Sequence, residues 1–418
     1  MINSNDLNVD LFQIKNHDFD NEFIWGLSET TFQIEEPSKN YLNNVRVCDG
    51  FSLKNNESGS FHLNYKEEIN RIKQLGISNF RFSLSWSRII PNGIGAIDQE
   101  GIDFYTDVID TCIINGIEPF VTLCHWNLPV ELEKKGGWVN REIINWFEEY
   151  VAVCINAFRD KVKYWIVLNE PSVITRAEYY LGIQKVKKRG ENNFLPTLHH
   201  ALLCQAIGFK KIKKEISKSQ VGTTFLSTYI VPKTTSYKDV TAANRVDALL
   251  NRTFIEPSLG LGYPIETLPF LKGIKRYILK GDDKLILAQF DFVGIQNYSR
   301  EVVAHNMYVP FINAEIIPSQ KINSKNSNIN FETHPKTIYL MIKKYSLYEG
   351  VKKIIITENE VLNKPKVNLK ERKDDDFNFY KSNLEQVLLA KKIGGKIGGY
   401  FIQTSSTNSE WLDYIKVI

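Results

Sequence analysis

Apolar and β-branched residues gather along this chain in short runs, parted by longer segments of mixed character. Eight runs read as strands: Phe23–Leu27, Asn79–Leu84, Pro119–Cys124, Tyr164–Leu168, Val221–Leu226, Phe292–Ile295, Lys353–Thr357 and Gly399–Ile402. Between most of them apolar residues recur every three or four places, the spacing of a helix with one buried face. Such segments cover Tyr65–Leu75, Ile102–Ile114, Arg141–Phe158, Leu198–Ile216, Lys336–Tyr345 and Phe377–Lys392. In Arg141–Phe158 the stripe is Ile144, Phe147, Val151, Cys154 and Phe158. Strands alternating with helices imply a parallel sheet. Eight such units predict a closed (β/α)8 TIM barrel, a fold of about 250 residues that can exceed 400 with insertions.

The 418 residues fit one barrel, and no linker divides them, so a single domain over 1–418 is expected. Gln320–Thr333, rich in Asn and Ser, reads as a long loop. Asp374–Asp376 sits just before a helical segment, where carboxylates suit the N-terminal dipole.

Composition narrows the function classes. Hydrophobic residues make up 43% of the chain, enough for a large core. The net charge of +4 is small and interspersed, which argues against a nucleic-acid partner. The local cluster Lys185, Lys187, Lys188 and Arg189 reads as a solvated loop. Five cysteines (Cys48, Cys112, Cys124, Cys154, Cys204) lack metal-site spacing and read as reduced thiols; no His/Asp/Glu cluster shows ligand spacing either, and neither metal nor cofactor is expected. Met1–Asp6 is polar rather than a secretory core, and no run approaches a membrane span. A cytoplasmic location without a membrane partner is the default expectation.

In a barrel, reactive side chains stand at the carboxyl ends of strands. Glu170 follows the fourth candidate strand and Glu358 the seventh, nearly half the chain apart. Two carboxylates across one pocket are what glycosidic cleavage requires: one protonates the leaving oxygen, the other attacks or stabilises the sugar cation. Other strand exits carry Gln33 and Glu35, His125 and Trp126, Asn297 and Tyr298, and Glu410 and Trp411, while Arg81 lies within the second strand. Hydrogen-bonding groups mixed with flat apolar faces suit a sugar, whose hydroxyls surround an apolar ring. A structural role fits His125 equally well, and Trp165 reads as core.

The ordered motifs resemble those of family 1 glycoside hydrolases, the β-glucosidase family. Phe23–Glu35 is similar to the family's N-terminal signature, Arg81–Pro91 to its second-strand motif and His125–Pro129 to its third. Asn169-Glu170-Pro171 and Thr357-Glu358-Asn359 match its two catalytic motifs. The likeness runs from about Phe23 to Trp411. It implies a retaining mechanism, with Glu170 as general acid and then base, and Glu358 as nucleophile. Such carboxyl pairs stand about 5–5.5 Å apart. Glu170 should be held protonated by burial and the neighbouring anion. The resemblance further implies that Arg81 and Tyr298 orient an ionised Glu358, that Asn169 bonds the sugar 2-hydroxyl, and that Gln33, His125, Trp126, Glu410 and Trp411 line the nonreducing sugar site. A carboxylate at Glu410 would repel a phosphorylated sugar.

The chain departs from the pattern in places. Gln403 stands where the family usually has the tryptophan floor of the sugar site. Thr404-Ser405-Ser406-Thr407 replaces an apolar run, Ser409 a phenylalanine, Gln296 an asparagine, Asn127 an aspartate and Glu360 a glycine. After Trp411 only Leu412–Ile418 follows, shorter than an ordinary helix of roughly 10–14 residues. The reading is thus a C-terminally shortened member, its last helix missing or truncated and apolar surface exposed beside strands eight and one. The leading expectation is a β-glycosidase acting on a small β-glycoside or oligosaccharide, by hydrolysis or transfer, with self-association left open. The alternative is a catalytically impaired carbohydrate-binding or interaction protein on the same scaffold.

Overall fold

The computed structural model describes residues 18–29, 45–46, 60–178, 190–317, 334–360 and 369–403. The cluster Lys185–Arg189, Cys48, the stretch Gln320–Thr333, and everything after Gln403, including the expected loss of the last helix, lie outside these residues.

Eight strands close a parallel barrel: β1 (Ile24–Ser28), β2 (Asn79–Ser83), β3 (Glu118–Cys124), β4 (Tyr164–Asn169), β5 (Gln220–Leu226), β6 (Phe292–Gln296), β7 (Ile354–Glu358) and β8 (Ile397–Gln403). Each pairs with its sequence neighbours, and β1 pairs with both β2 and β8. Each of the eight apolar runs therefore falls on a barrel strand, with bounds that differ by no more than two residues at either end. The runs are continuous rather than alternating because parallel strands are covered on both faces. In β4 and β7 nearly every residue is buried.

Helices α1 (Ser60–Gln74), α2 (Gln99–Ile114), α3 (Ile143–Phe158), α4 (Glu191–Glu215), α5 (Tyr237–Asp247), α6 (Lys336–Ser346) and α7 (Leu369–Lys392) lie between the strands. Asp98 starts α2 by accepting from the Glu100 and Gly101 amides. The expected stripe of α3 is buried, from Ile144 to Phe158. Gly208 in α4 is where that helix meets the barrel. A Cβ there would stand 2.5 Å from Val167 Cγ1, so only glycine lets α4 seat closely on β4. Helix α7 begins at Leu369, which places Asp374–Asp376 inside the helix rather than ahead of it, a correction to the expected N-terminal position.

Inside the barrel the side chains divide into two zones. At one end Ile24, Phe120, Ile166, Phe292, Ile355 and Phe401 form a buried apolar plug with Tyr164 packed against it. Beyond it the inward residues turn polar: Arg81, Ser83, Thr122, Asn169, Gln296, Glu358 and Gln403 are all buried. That change marks the carboxyl end of the strands, where the candidate site lies. An outer three-stranded sheet of Tyr229–Pro232, Arg300–His305 and Ala314–Ile317 also forms beyond β5 and β6 and was not anticipated.

Candidate active site

Both candidate glutamates sit at interruptions of the strand ladder. The β4–β5 register shifts between Ile166 and Asn169, and the β7–β6 register shifts between Ile356 and Glu358. Such irregularities bend a strand and re-aim its side chains, and they favour the rims of barrels. Glu170 then adopts φ +46°, a left-handed conformation uncommon for a residue with a Cβ. Its amide is pinned to the Thr224 carbonyl of β5 at 2.8 Å. Trp126, at the β3 exit, is likewise left-handed (φ +64°). Two strained residues at neighbouring strand exits are characteristic of a site that fixes side chains against their local preference. Glu170 and Glu358 are each only 4% exposed.

Arg81 joins the two strand ends. From β2 its guanidinium reaches inward and donates to a carboxylate oxygen of Glu358, to the Thr357 carbonyl (3.0 Å), to Thr122 Oγ1 (3.2 Å) and to Asn169 Oδ1 (2.7 Å). The second oxygen of Glu358 accepts from Tyr298 OH at 3.2 Å. One buried cation thus touches Glu358 directly and the residue preceding Glu170. Tyr298 stands close enough to feel both: burial pushes its phenol well above the usual range, and Glu358, Glu170 and Glu360 push it further. It is therefore held as a hydrogen-bond donor.

The bonds also fix the His125 tautomer. Asn169 Oδ1 accepts from Arg81 and from Gln296 Nε2 (3.1 Å), so its Nδ2 is the donor facing His125 Nε2 at 2.8 Å. Since His125 Nε2 accepts, Nδ1 carries the proton and donates to Ser83 Oγ at 2.9 Å. Burial, then the Arg81 charge, holds His125 neutral by lowering its pKa well below the ordinary value. Both its nitrogens are engaged within the protein, and its ring meets Trp126 edge-on at 4.9 Å. Trp165 is core, its Nε1 donating to the Val162 carbonyl.

Arg81, His125, Trp126, Asn169, Glu170, Tyr298 and Glu358 are all brought to one end of the barrel. Gln33, Glu35, Glu410 and Trp411 lie outside the described residues. Ser83, Thr122 and Gln296 belong to the same network, though sequence reasoning gave them no role. Their signal was a polar residue facing inward from an otherwise apolar strand. Glu360 adds a third carboxyl at the β7 exit, pushed up to about 7 by burial and then by Glu358. Among the described residues no group of three or more His, Cys, Asp or Glu could hold a metal ion, and no helix is long and apolar enough to cross a membrane.

Comparison with known proteins places these residues in context. The model of glycosyl hydrolase family 1 matches residues 15–416. Beta-glucosidase A of Thermotoga maritima is 31% identical over 407 residues, covering 94% of this chain and 90% of the relative. A 6-phospho-beta-glucosidase, GmuD of Bacillus subtilis, is 28% identical over 423 residues, covering 95% and 91%. Among solved structures, a beta-glucosidase from Thermotoga maritima in complex with deoxynojirimycin superposes with a TM-score of 0.83 at 29% identity, covering 92% of this chain and 88% of that one.

Proposed function

The chain belongs to glycosyl hydrolase family 1 and is a β-glucosidase-like hydrolase, and from that premise we propose that it cleaves β-glucosides or β-galactosides with retention of anomeric configuration. In the first step a Glu358 oxygen bonds to the anomeric carbon as the bond to the leaving oxygen breaks, and that oxygen takes a proton from Glu170. In the second, Glu170 removes a proton from water, which attacks the same carbon and releases Glu358. The observation that carries this reading is the Arg81 bridge. It holds the attacking carboxylate by one oxygen and the strand end bearing Glu170 through Asn169. Arg81 and Tyr298 are thus positioning groups for Glu358.

The sugar contacts follow from what the network leaves over. One N–H of Asn169 is spent on His125, so the other is offered to the sugar 2-hydroxyl. His125, engaged at both nitrogens, acts here by orienting Asn169 beside Trp126. Gln33, Glu410 and Trp411 complete the nonreducing sugar site in this proposal. The Glu410 carboxylate favours a neutral sugar over a phosphorylated one.

Initial rates on 4-nitrophenyl β-glucoside test the assignment. Glu358→Gln should fall to the background rate. Glu170→Gln should lose roughly 10²–10⁴-fold in kcat, the usual contribution of positioned acid–base catalysis. Equal background rates for wild type and both variants would remove catalysis of this substrate class and leave a carbohydrate-binding scaffold. A matched panel of β-galactoside and 6-phospho-β-glucoside reports the sugar, with the phosphorylated substrate expected to be slowest.

A further inference from the structure

Tyr298 stands between two acceptors but has one proton to give. Its hydroxyl lies 3.2 Å from Glu358 Oε2 and 3.3 Å from Gln403 Oε1. We propose that Gln403 is a positioning residue that takes over the Tyr298 hydrogen bond when Glu358 becomes a sugar ester, and so lengthens the life of the covalent intermediate. The inference rests on the retaining reading above.

The physical reason is the change of charge at Glu358. Before reaction it is the stronger acceptor, because hydrogen bonds to an ionised group are about twice as strong as neutral ones. When its oxygen bonds to the anomeric carbon, the leaving oxygen departs with the Glu170 proton and the negative charge passes to Glu170. Glu358 is then a neutral ester, and the phenol loses its ionic partner. A buried donor left without an acceptor destabilises the state that strands it. Gln403 Oε1 supplies a neutral acceptor at almost the same distance, so the phenol need only turn its proton.

Gln403 is held for that task. Its backbone N–H donates to the Asn359 backbone carbonyl (3.0 Å), and its backbone carbonyl accepts from Tyr380 OH (3.3 Å). Asn359 is itself fixed by Tyr400 OH (2.5 Å) and by the Asn297 carbonyl (3.3 Å). The residue is only 6% exposed. The tryptophan that the family resemblance would place here offers no acceptor, since an indole is a donor only. The exchange is therefore a property of this chain's own residue.

The test is the half-life of the adduct formed from 2-deoxy-2-fluoro-β-glucosyl fluoride, followed by intact-protein mass spectrometry after excess reagent is removed. Gln403→Leu should shorten the half-life about five- to tenfold, because the flanking transition states keep part of the charge on Glu358 and need the second acceptor less. Gln403→Met, unbranched and close in volume, should shift it in the same direction. In a Tyr298→Phe background, Gln403→Leu should change nothing. An equal or longer half-life in both variants, or the same change without the Tyr298 hydroxyl, overturns the proposal while leaving the retaining mechanism intact. If the wild type forms no adduct, both fall together.

Discussion

Arg81 is a cation almost wholly withdrawn from water, at 1% exposure, and its cost is met only by what surrounds it. Glu358, Thr357 O, Thr122 and Asn169 take its donors in several directions at once. A lysine is a single charged point on a flexible stem and cannot hold that spread of acceptors. Arg81→Lys should lower kcat/KM about 10²-fold, equivalent to one or two charge-assisted bonds. It should also melt lower, because breaking a buried pair leaves an imperfectly matched charge. Steady-state kinetics together with a thermal melt followed by circular dichroism check both. At this scale the sequence was legible where a polar, charged or aromatic residue stood within or just beyond an apolar run, as with Arg81, Asn169, Glu170, Tyr298 and Glu358. Ser83 and Thr122 escaped because a small hydroxyl in a strand says little until the strand beside it is known. Gln403 was legible as a departure, but its bond to Tyr298 depends on which exits face one another across the barrel.

Helix α4 illustrates what an element adds. It presents His199 and His200 side by side, and each is gripped from a different part of the fold. His199 Nε2 lies 2.8 Å from Asp282, which also accepts from Arg141 (2.6 Å), while His200 Nδ1 donates to the Trp138 carbonyl (2.9 Å). Burial lowers His200 to about 4, against a smaller upward pull from that carbonyl. The sign follows directly. In the unfolded chain His200 takes a proton below its ordinary value, whereas the folded protein excludes it until about pH 4. Stability from this residue is therefore complete above the ordinary histidine pKa and drains away as the pH falls towards 4. The loss is on the order of 3 kcal/mol by linkage. Urea midpoints measured from neutral to about pH 4.5 should fall less steeply for His200→Gln than for wild type, whereas parallel curves would refute the assignment. The barrel strands were readable because burial on both faces makes them continuous. The outer sheet was not, since its strands are largely half-buried and pair residues near Tyr229 with residues near Arg300, far along the chain. The start of α7 was missed because Leu369–Phe377 carries mostly charge and shows no apolar stripe.

Across the whole molecule the barrel keeps its structural and chemical tasks at opposite ends. The apolar plug of Ile24, Phe120, Ile166, Phe292, Ile355 and Phe401 fills one end, and glycines make room for it: Gly26 sits against Phe401, and Gly222 against Phe292. The polar tier at the other end is then free to carry buried charge. Counting eight apolar runs was enough to foresee the closure, because eight parallel strands can bury both faces by joining β1 to β8. The pairing of β4 with β7 chemistry was foreseeable from two carboxylates at barrel strand exits together with the motif match, and Arg81 links these two non-adjacent strand ends through the interior. The central claim is that Glu358 attacks the anomeric carbon and Glu170 serves both steps. Proton NMR of the first sugar released from an aryl β-glucoside, recorded before mutarotation, tests it most directly. With retention the β-anomer appears first and the α-anomer only as the solution equilibrates. Release of the α-anomer first would mean a single inverting displacement and would contradict it.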